Sequence, residues 1–374
     1  MAPTDALRQL VDPWYQSLED PIGAQNAALK SLLDGYARTE YGRTRSASSI
    51  HDLADYRQHF PVVRYTDLGQ EIEEVKRGNY PSLLPEPVRR WVMTRGSTGE
   101  PKLFPATDTH LSEVLAVGAR ALINFVLRTG DDSVLEGGVL NLNFPSEVAS
   151  MRGPGGEEKY GYSSGTYAKL NPSFGDTALV PRQEEIDSLG SGITRRDWER
   201  RFDLVYDRAR GAGVVCTMGV TPVILSFARY LRRRKHATPR LLWKMKALFC
   251  TSVAKIQTKY APMLTSLYGD ASIVEMYTAT EGIFAQQRDE MPYVSPNYDV
   301  YLFEVVTRAG VKLLHELKPR EWGRLVVSTP VFPRYDIGDY IESLGKGYFR
   351  VIGRAKPSTA LEHVLYNLST FRLP

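Results

Sequence analysis

Apolar residues recur at helical spacing from the start of the chain. Leu7, Leu10, Val11, Trp14 and Leu18 mark one stripe, and Ala28, Leu29, Leu32, Leu33 and Tyr36 mark a second. The spacing predicts helices up to about Tyr41, with both stripes buried as core. Beyond Phe60, the segment FPVVRYTDLGQEIEEVKRGNY runs from an extended, proline-containing entry into a helix ending near Gly78, with Asp67 placed to cap it. From residue 89 the period changes. Strand-like runs at Arg90 to Met93, Val139 to Leu142, Val214 to Cys216, Ala247 to Cys250 and Ile273 to Met276 alternate with helical runs at Leu111 to Leu127 and Thr221 to Leu231. That alternation predicts an α/β architecture of mainly parallel sheets flanked by helices. A second strand-rich zone, Val300 to Tyr348, is broken by turn signals at Ala309–Gly310 and Gly345–Gly347 and reads as a smaller antiparallel or barrel-like layer.

Composition adds exclusions. At 374 residues, 43% hydrophobic and 24% charged, the chain can bury a large core without staples, and its 30 Gly and 23 Pro are dispersed rather than clustered. A net charge of +4 gives no footprint for nucleic acid. The basic run from Arg232 to Lys235 follows an apolar stretch and reads as the solvated end of a helix. Cys216 and Cys250 are too few for a disulfide framework, and no His or Cys stands at metal-ligand spacing, so neither zinc nor a Ser-His-Asp triad is expected. The N-terminus lacks a basic region followed by an apolar run, and no membrane span is expected; a cytoplasmic location follows as an expectation.

Three segments can carry chemistry. In WVMTRGSTGEPKLFP, the residues Thr94, Gly96, Ser97, Thr98, Gly99 and Lys102 form a short loop between two strand-like runs. Glycines let the backbone approach an anion, hydroxyls and N–H groups donate to it, and Lys102 adds a cation. The spacing is not that of a Walker loop, and an ordinary turn would have the same composition. In VEMYTATEG, a strand delivers Tyr277, Thr278, Thr280 and Glu281 into a loop. Tyr277 offers a flat face to a purine, Thr280 a hydroxyl to phosphate and Glu281 a carboxylate to magnesium, although a capped strand end reads the same way. In RYDIGDYI, Gly338 tightens the chain before Asp339, whose carboxylate can accept both hydroxyls of a ribose or simply close a turn.

In their order and separation, TRGSTGEPK, YTATEG and RYDIGD resemble the three nucleotide motifs of the acyl-adenylate-forming superfamily. The flanking runs TEYGR, FPVVRYTDL, YLFEVV and GRLVVSTPVFPRYDIGD are similar to the GH3 acyl acid amido synthetases, over residues 30 to 354. The resemblance implies the large N-terminal domain of such enzymes over residues 1 to 354, and ATP and Mg²⁺ as cofactors. It further implies that Ser97, Thr98 and Lys102 handle phosphates, that Tyr277 and the turn Thr251–Ser252–Val253 enclose adenine, and that Thr280 and Glu281 meet the α-phosphate and the metal. Asp339 would bind ribose, and Arg354, at the hinge, would approach the ribose and α-phosphate. The sequence departs from the family at Arg95, at Ser97 and at Asp336–Ile337, the last standing where the motif carries an arginine.

The implied reaction is adenylation of a carboxylic acid followed by transfer to an amine. Transfer to a thiol on CoA or a carrier protein, or nucleotide binding without turnover, are the other readings. Phe144, Met218 and Val220 are candidates for the acid pocket. Residues 355 to 374 read as a short tail in place of the family's small mobile domain, with Leu361, Val364, Leu365 and Leu368 on one helical face that must bury itself against the main domain or a partner chain.

Overall fold

The computed structural model describes residues 3–94, 101–153, 155–171 and 179–370. Two helices open the chain, Pro3–Glu19 and Pro21–Tyr36, the second capped by Asp20, whose carboxylate accepts from the Gly23 N–H at 3.0 Å. Val11 and Trp14 are fully buried as their spacing predicts, but Leu10 is 61% exposed. The stripe is therefore narrower than expected. Asp67 does not cap the next helix: it lies in a 3-10 turn, Tyr65–Leu68, and its carboxylate accepts from the Arg64 N–H behind it at 2.8 Å, while the helix proper starts at Gly69.

A central sheet holds seven strands. In chain order they are β3 (Gly138–Leu140), β6 (Leu179–Val180), β7 (Val214–Val220), β8 (Ala247–Thr251), β9 (Ser272–Ala279), β10 (Gly282–Gln286) and β11 (Ser295–Pro296). Their spatial order is β11-β10-β9-β8-β7-β3-β6, with parallel ladders from β9 to β6 and antiparallel ones from β9 to β11. Alternate residues of β8 feed opposite cores: Leu248 and Cys250 pack with Phe227 and Leu264, whereas Ala247 and Phe249 pack with Ala121 and Phe125. A parallel strand covered on both faces is apolar at every position, which is why this run stands out in the sequence.

One covering helix, Asp108–Thr129, starts at Thr107, whose hydroxyl accepts from the His110 N–H at 3.2 Å, and stops at Gly130, which takes φ 70°. Contrary to the sequence expectation, this helix is long and apolar enough to cross a membrane by length and composition, and most of that stretch is buried within the protein. Arg120 on it forms a two-pronged ion pair with Asp299, at 2.9 and 2.5 Å.

Two smaller sheets flank the centre. One joins β1 (Val88–Met93), β2 (Leu103–Thr107), β4 (Ala149–Gly153) and β5 (Gly156–Tyr162) in the order β2-β1-β5-β4, with only β1 and β5 parallel. The other is antiparallel throughout, as predicted. It runs β13-β12-β14-β15-β16, from β12 (Leu302–Thr307), β13 (Gly310–Leu313), β14 (Trp322–Ser328), β15 (Tyr335–Gly345) and β16 (Tyr348–Arg354). Segment 60–64 locks onto the start of β15: the Val63 N–H donates to Arg334 O, and the Asp336 N–H donates back to Val63 O at 2.8 Å.

The last helix, Pro357–Thr370, forms where predicted, and two leucines of its apolar face are not covered by the main domain, while the Leu368 side chain lies outside the described residues. Leu361 and Leu365 are 60% and 55% exposed, and His363 is the buried contact, edge-on to Trp322 and 3.4 Å from Glu342.

Candidate nucleotide and acid site

The carboxyl ends of β7, β8 and β9 open into a cavity of about 1270 Å³, closed on the far side by the first turn of β15 and the last residues of β16. This is where parallel sheets place their ligands, because the strand ends leave a crevice between the loops they feed. Thr94, Lys102, Ser252, Val253, Tyr277, Thr278, Thr280, Glu281, Asp339 and Arg354 all line it. So do Phe144, Met218 and Val220, the residues proposed for an acid pocket. Gly96, Ser97, Thr98 and Gly99 lie outside the described residues.

Asp339 holds the centre of the polar half. Its two oxygens receive the Tyr277 hydroxyl at 2.9 Å and the Arg354 guanidinium at 3.2 Å, and Arg354 also donates to Ile337 O at 3.0 Å. A carboxylate offers about four acceptor sites. Two therefore remain for hydroxyls of a ligand. Burial raises the Asp339 carboxyl above its usual range, with Arg354 and the Tyr277 hydrogen bond pulling the other way. Gly338 makes the turn before it at φ 79°, a conformation that disfavours any side chain, and its N–H donates to Asp336 Oδ1 at 2.9 Å.

Glu281 sits half-buried in the turn between β9 and β10. Burial raises its carboxyl, opposed by the charges of Lys102 and Arg354 and by a hydrogen bond from Tyr335. Lys102 lies at the entry to β2, its Nζ 5.4 Å from the centre of the Tyr65 ring. Thr94 faces it across the β1–β2 hairpin: the Thr94 N–H donates to Lys102 O at 2.9 Å, and the Lys102 N–H donates to Thr94 Oγ1 at 3.1 Å. The hairpin thus fixes both ends of the glycine-containing loop. On the opposite wall the Thr251 and Thr278 hydroxyls are hydrogen-bonded to each other, and Ser252 turns the chain at φ 75°.

Three residues of the site escaped the sequence reading. Tyr167 reaches in from the Ser163–Leu170 helix and donates to Thr280 O at 2.8 Å, backed by buried His110 at 3.2 Å, an imidazole that burial pushes down to about 3. Arg64 and Arg324 flank Asp336, each with Nε 3.1 Å from Oδ2. Both arginines stand within the runs FPVVRYTDL and GRLVVSTPVFPRYDIGD that carried the family resemblance, yet nothing in their spacing marked them as cavity residues.

Residues 13–187 match the GH3 family N-terminal domain. The indole-3-acetic acid-amido synthetase GH3.2 of Arabidopsis thaliana is 30% identical over 94 residues, which span 25% of this chain and only 17% of that protein. Among solved structures, the AtGH3.15 acyl acid amido synthetase in complex with 2,4-DB superposes with a TM-score of 0.72 at 16% identity, covering 94% of this chain and 71% of that one. The 2-hydroxyisobutyryl-CoA ligase in complex with 2-HIB-AMP and CoA does so with a TM-score of 0.62 at 15% identity, covering 91% and 69%. Residues 13–187 are thus similar to the GH3 family N-terminal domain, and the chain as a whole has the fold of the large domain shared by GH3 acyl acid amido synthetases and acyl-CoA ligases.

Proposed function

We propose that this protein uses ATP to convert a carboxylic acid to its acyl-adenylate and then passes the acyl group to an amine, forming an amide and releasing AMP. The reading is carried by one observation: Lys102, Thr280, Glu281, Asp339 and Arg354, from four separate strands and turns, converge on a single cavity whose other half is apolar. A free carboxylate resists amines because it repels nucleophiles and lacks a good leaving group; adenylation removes both obstacles. The acid's oxygen attacks the α-phosphorus of ATP in line, the bond from the α-phosphorus to the bridging oxygen breaks, and pyrophosphate leaves. Asp339 holds the ribose and Arg354 lies beside it. Lys102 meets charge that grows on the leaving pyrophosphate, so the protein contributes position and electrostatics rather than covalent chemistry.

Among the described residues no cluster of three or more His, Cys, Asp or Glu could hold a metal by itself. A single carboxylate at the phosphate end suits Mg²⁺, which is commonly held by one or two carboxylates plus substrate phosphates. Glu281 is the residue that would hold it, and the ion would neutralise polyphosphate charge.

The test is pyrophosphate release from ATP across a panel of carboxylic acids, repeated with amines or thiols added. Acid-dependent release that amines accelerate, with amide formed, supports the proposal. Acceleration by thiols alone moves the acceptor to CoA or a carrier, and no release with any acid removes the adenylation itself.

A further inference from the structure

Asp336 lines the cavity two residues before Gly338. The Asp336 side chain is 2% exposed, and it draws in two guanidiniums from distant parts of the chain: Arg64, from the segment before the Tyr65 turn, and Arg324, from β14. Both pair through Nε at 3.1 Å with the same oxygen, Oδ2, while Oδ1 accepts the Gly338 N–H. Pairing through Nε leaves the terminal nitrogens of each fork available, and among the described residues neither fork has another partner. One carboxylate thus faces two cations, and both arginines line the cavity together with Lys102.

The position matters as much as the charge. Arg64 adjoins Tyr65, whose hydroxyl donates to Leu103 O at 2.8 Å and whose ring lies under Lys102. Asp336 adjoins Tyr335, the hydrogen-bond donor to Glu281. The Arg64 side of the pair therefore borders the end of the β1–β2 hairpin that carries Lys102. Excess positive charge beside a buried anchor, carried on planar forks that line a cavity, is the arrangement that binds phosphate oxygens in two-pronged fashion.

We propose that Arg64 and Arg324, held in place by Asp336, form the subsite for the β- and γ-phosphates of ATP and for the departing pyrophosphate. The proposal rests on the nucleotide reading above and extends it to two residues outside the three motifs. The ribose and α-phosphate contacts do not involve the pair, so the subsite discriminates ATP from AMP rather than nucleotide from solvent.

Equilibrium binding of ATP, AMP and inorganic pyrophosphate to the full chain tests this, using Arg64→Gln, Arg324→Gln and the double variant, with Arg64→Lys and Arg324→Lys as charge-retaining controls. Thermal unfolding confirms that each variant is folded. The expected result is a tenfold or greater loss of ATP and pyrophosphate affinity in the double variant, AMP affinity within about twofold of wild type, and partial recovery with lysine. Equal loss for AMP and ATP, or ATP affinity unchanged in every folded variant while wild type binds both nucleotides, overturns the subsite and leaves the nucleotide reading standing. Wild-type protein that binds neither nucleotide overturns the reading and the subsite together.

Discussion

The Tyr277 hydroxyl donates to Asp339 at 2.9 Å and so ties the last turn of β9, in the central sheet, to β15 in the antiparallel sheet. Two motifs separated by 62 positions meet in that bond, and Arg354 joins them on the other carboxylate oxygen. The carboxylate proposed to bind ribose is therefore positioned from both sheets before any ligand arrives.

Replacing Tyr277 with Phe keeps the ring against Phe284 and Phe349 and removes only the bond. A net hydrogen bond contributes about 0.5–1.5 kcal/mol, so nucleotide affinity should fall by about two- to tenfold. The same bond lowers the Asp339 carboxyl, so its loss lets burial raise that group further. The acid limb of the pyrophosphate-exchange profile should move to higher pH. An unshifted limb would show that Tyr277 does not set the charge of Asp339.

Asp339→Ala and Glu281→Ala should each reduce acid-dependent pyrophosphate exchange a hundredfold or more, by analogy with the ~2.7–4 kcal/mol lost when a transition-state contact is deleted. Neither side chain is part of an apolar core cluster, and the thermal midpoint should change little. Near wild-type exchange in both folded variants would reject the assignment of the nucleotide site.

Glu304, fully buried, accepts Arg334 at 2.8 and 3.2 Å and Arg57 at 2.7 Å, and Arg334 in turn donates to Phe60 O at 2.6 Å. Glu304→Gln leaves two guanidiniums without their counter-charge. Breaking such a buried pair costs about 3–5 kcal/mol, which denaturant unfolding would read directly. A cost under about 1 kcal/mol would mean that Arg334 finds another anion or water.

Glu113 gives a pH-dependent prediction. Burial, reinforced by Glu86 and Asp299, raises its carboxyl from 4.5 to about 8. The folded protein then retains a proton that the unfolded chain releases, so stability falls as pH rises between those two values. Glu113→Gln should flatten that part of the thermal profile and raise the unfolding midpoint near pH 8 by about 2 °C or more. A slope equal to that of wild type would show that the carboxyl is solvated.

What the sequence displayed was local. Strands buried on both faces, such as Ala247–Thr251, announce themselves because every position is apolar, and the residues of YTATEG and RYDIGD were readable because a strand end and its turn are specified within a few positions. Contacts between distant segments left no such trace. Arg64 and Asp336, like Tyr56 and Ser328, are 272 positions apart. Tyr167 looks like any helical tyrosine until the fold brings it to Thr280 O. In the last helix the leucines kept a regular period, but the contact with the main domain beside Trp322 and Glu342 is made by His363, which no period marks.

The exchange of hydrogen bonds between Val63 and the start of β15 also fixes an order of events during synthesis. A ribosome adds about 5–20 residues per second, so the 272 positions from Arg64 to Asp336 take roughly 15–50 s to emerge. Throughout that interval the segment 60–64 has no β15 to pair with, and the carboxylate of Asp339 does not yet exist. On the proposed reading, competence to bind a nucleotide therefore arrives late on the nascent chain, and its appearance would time completion of the antiparallel sheet.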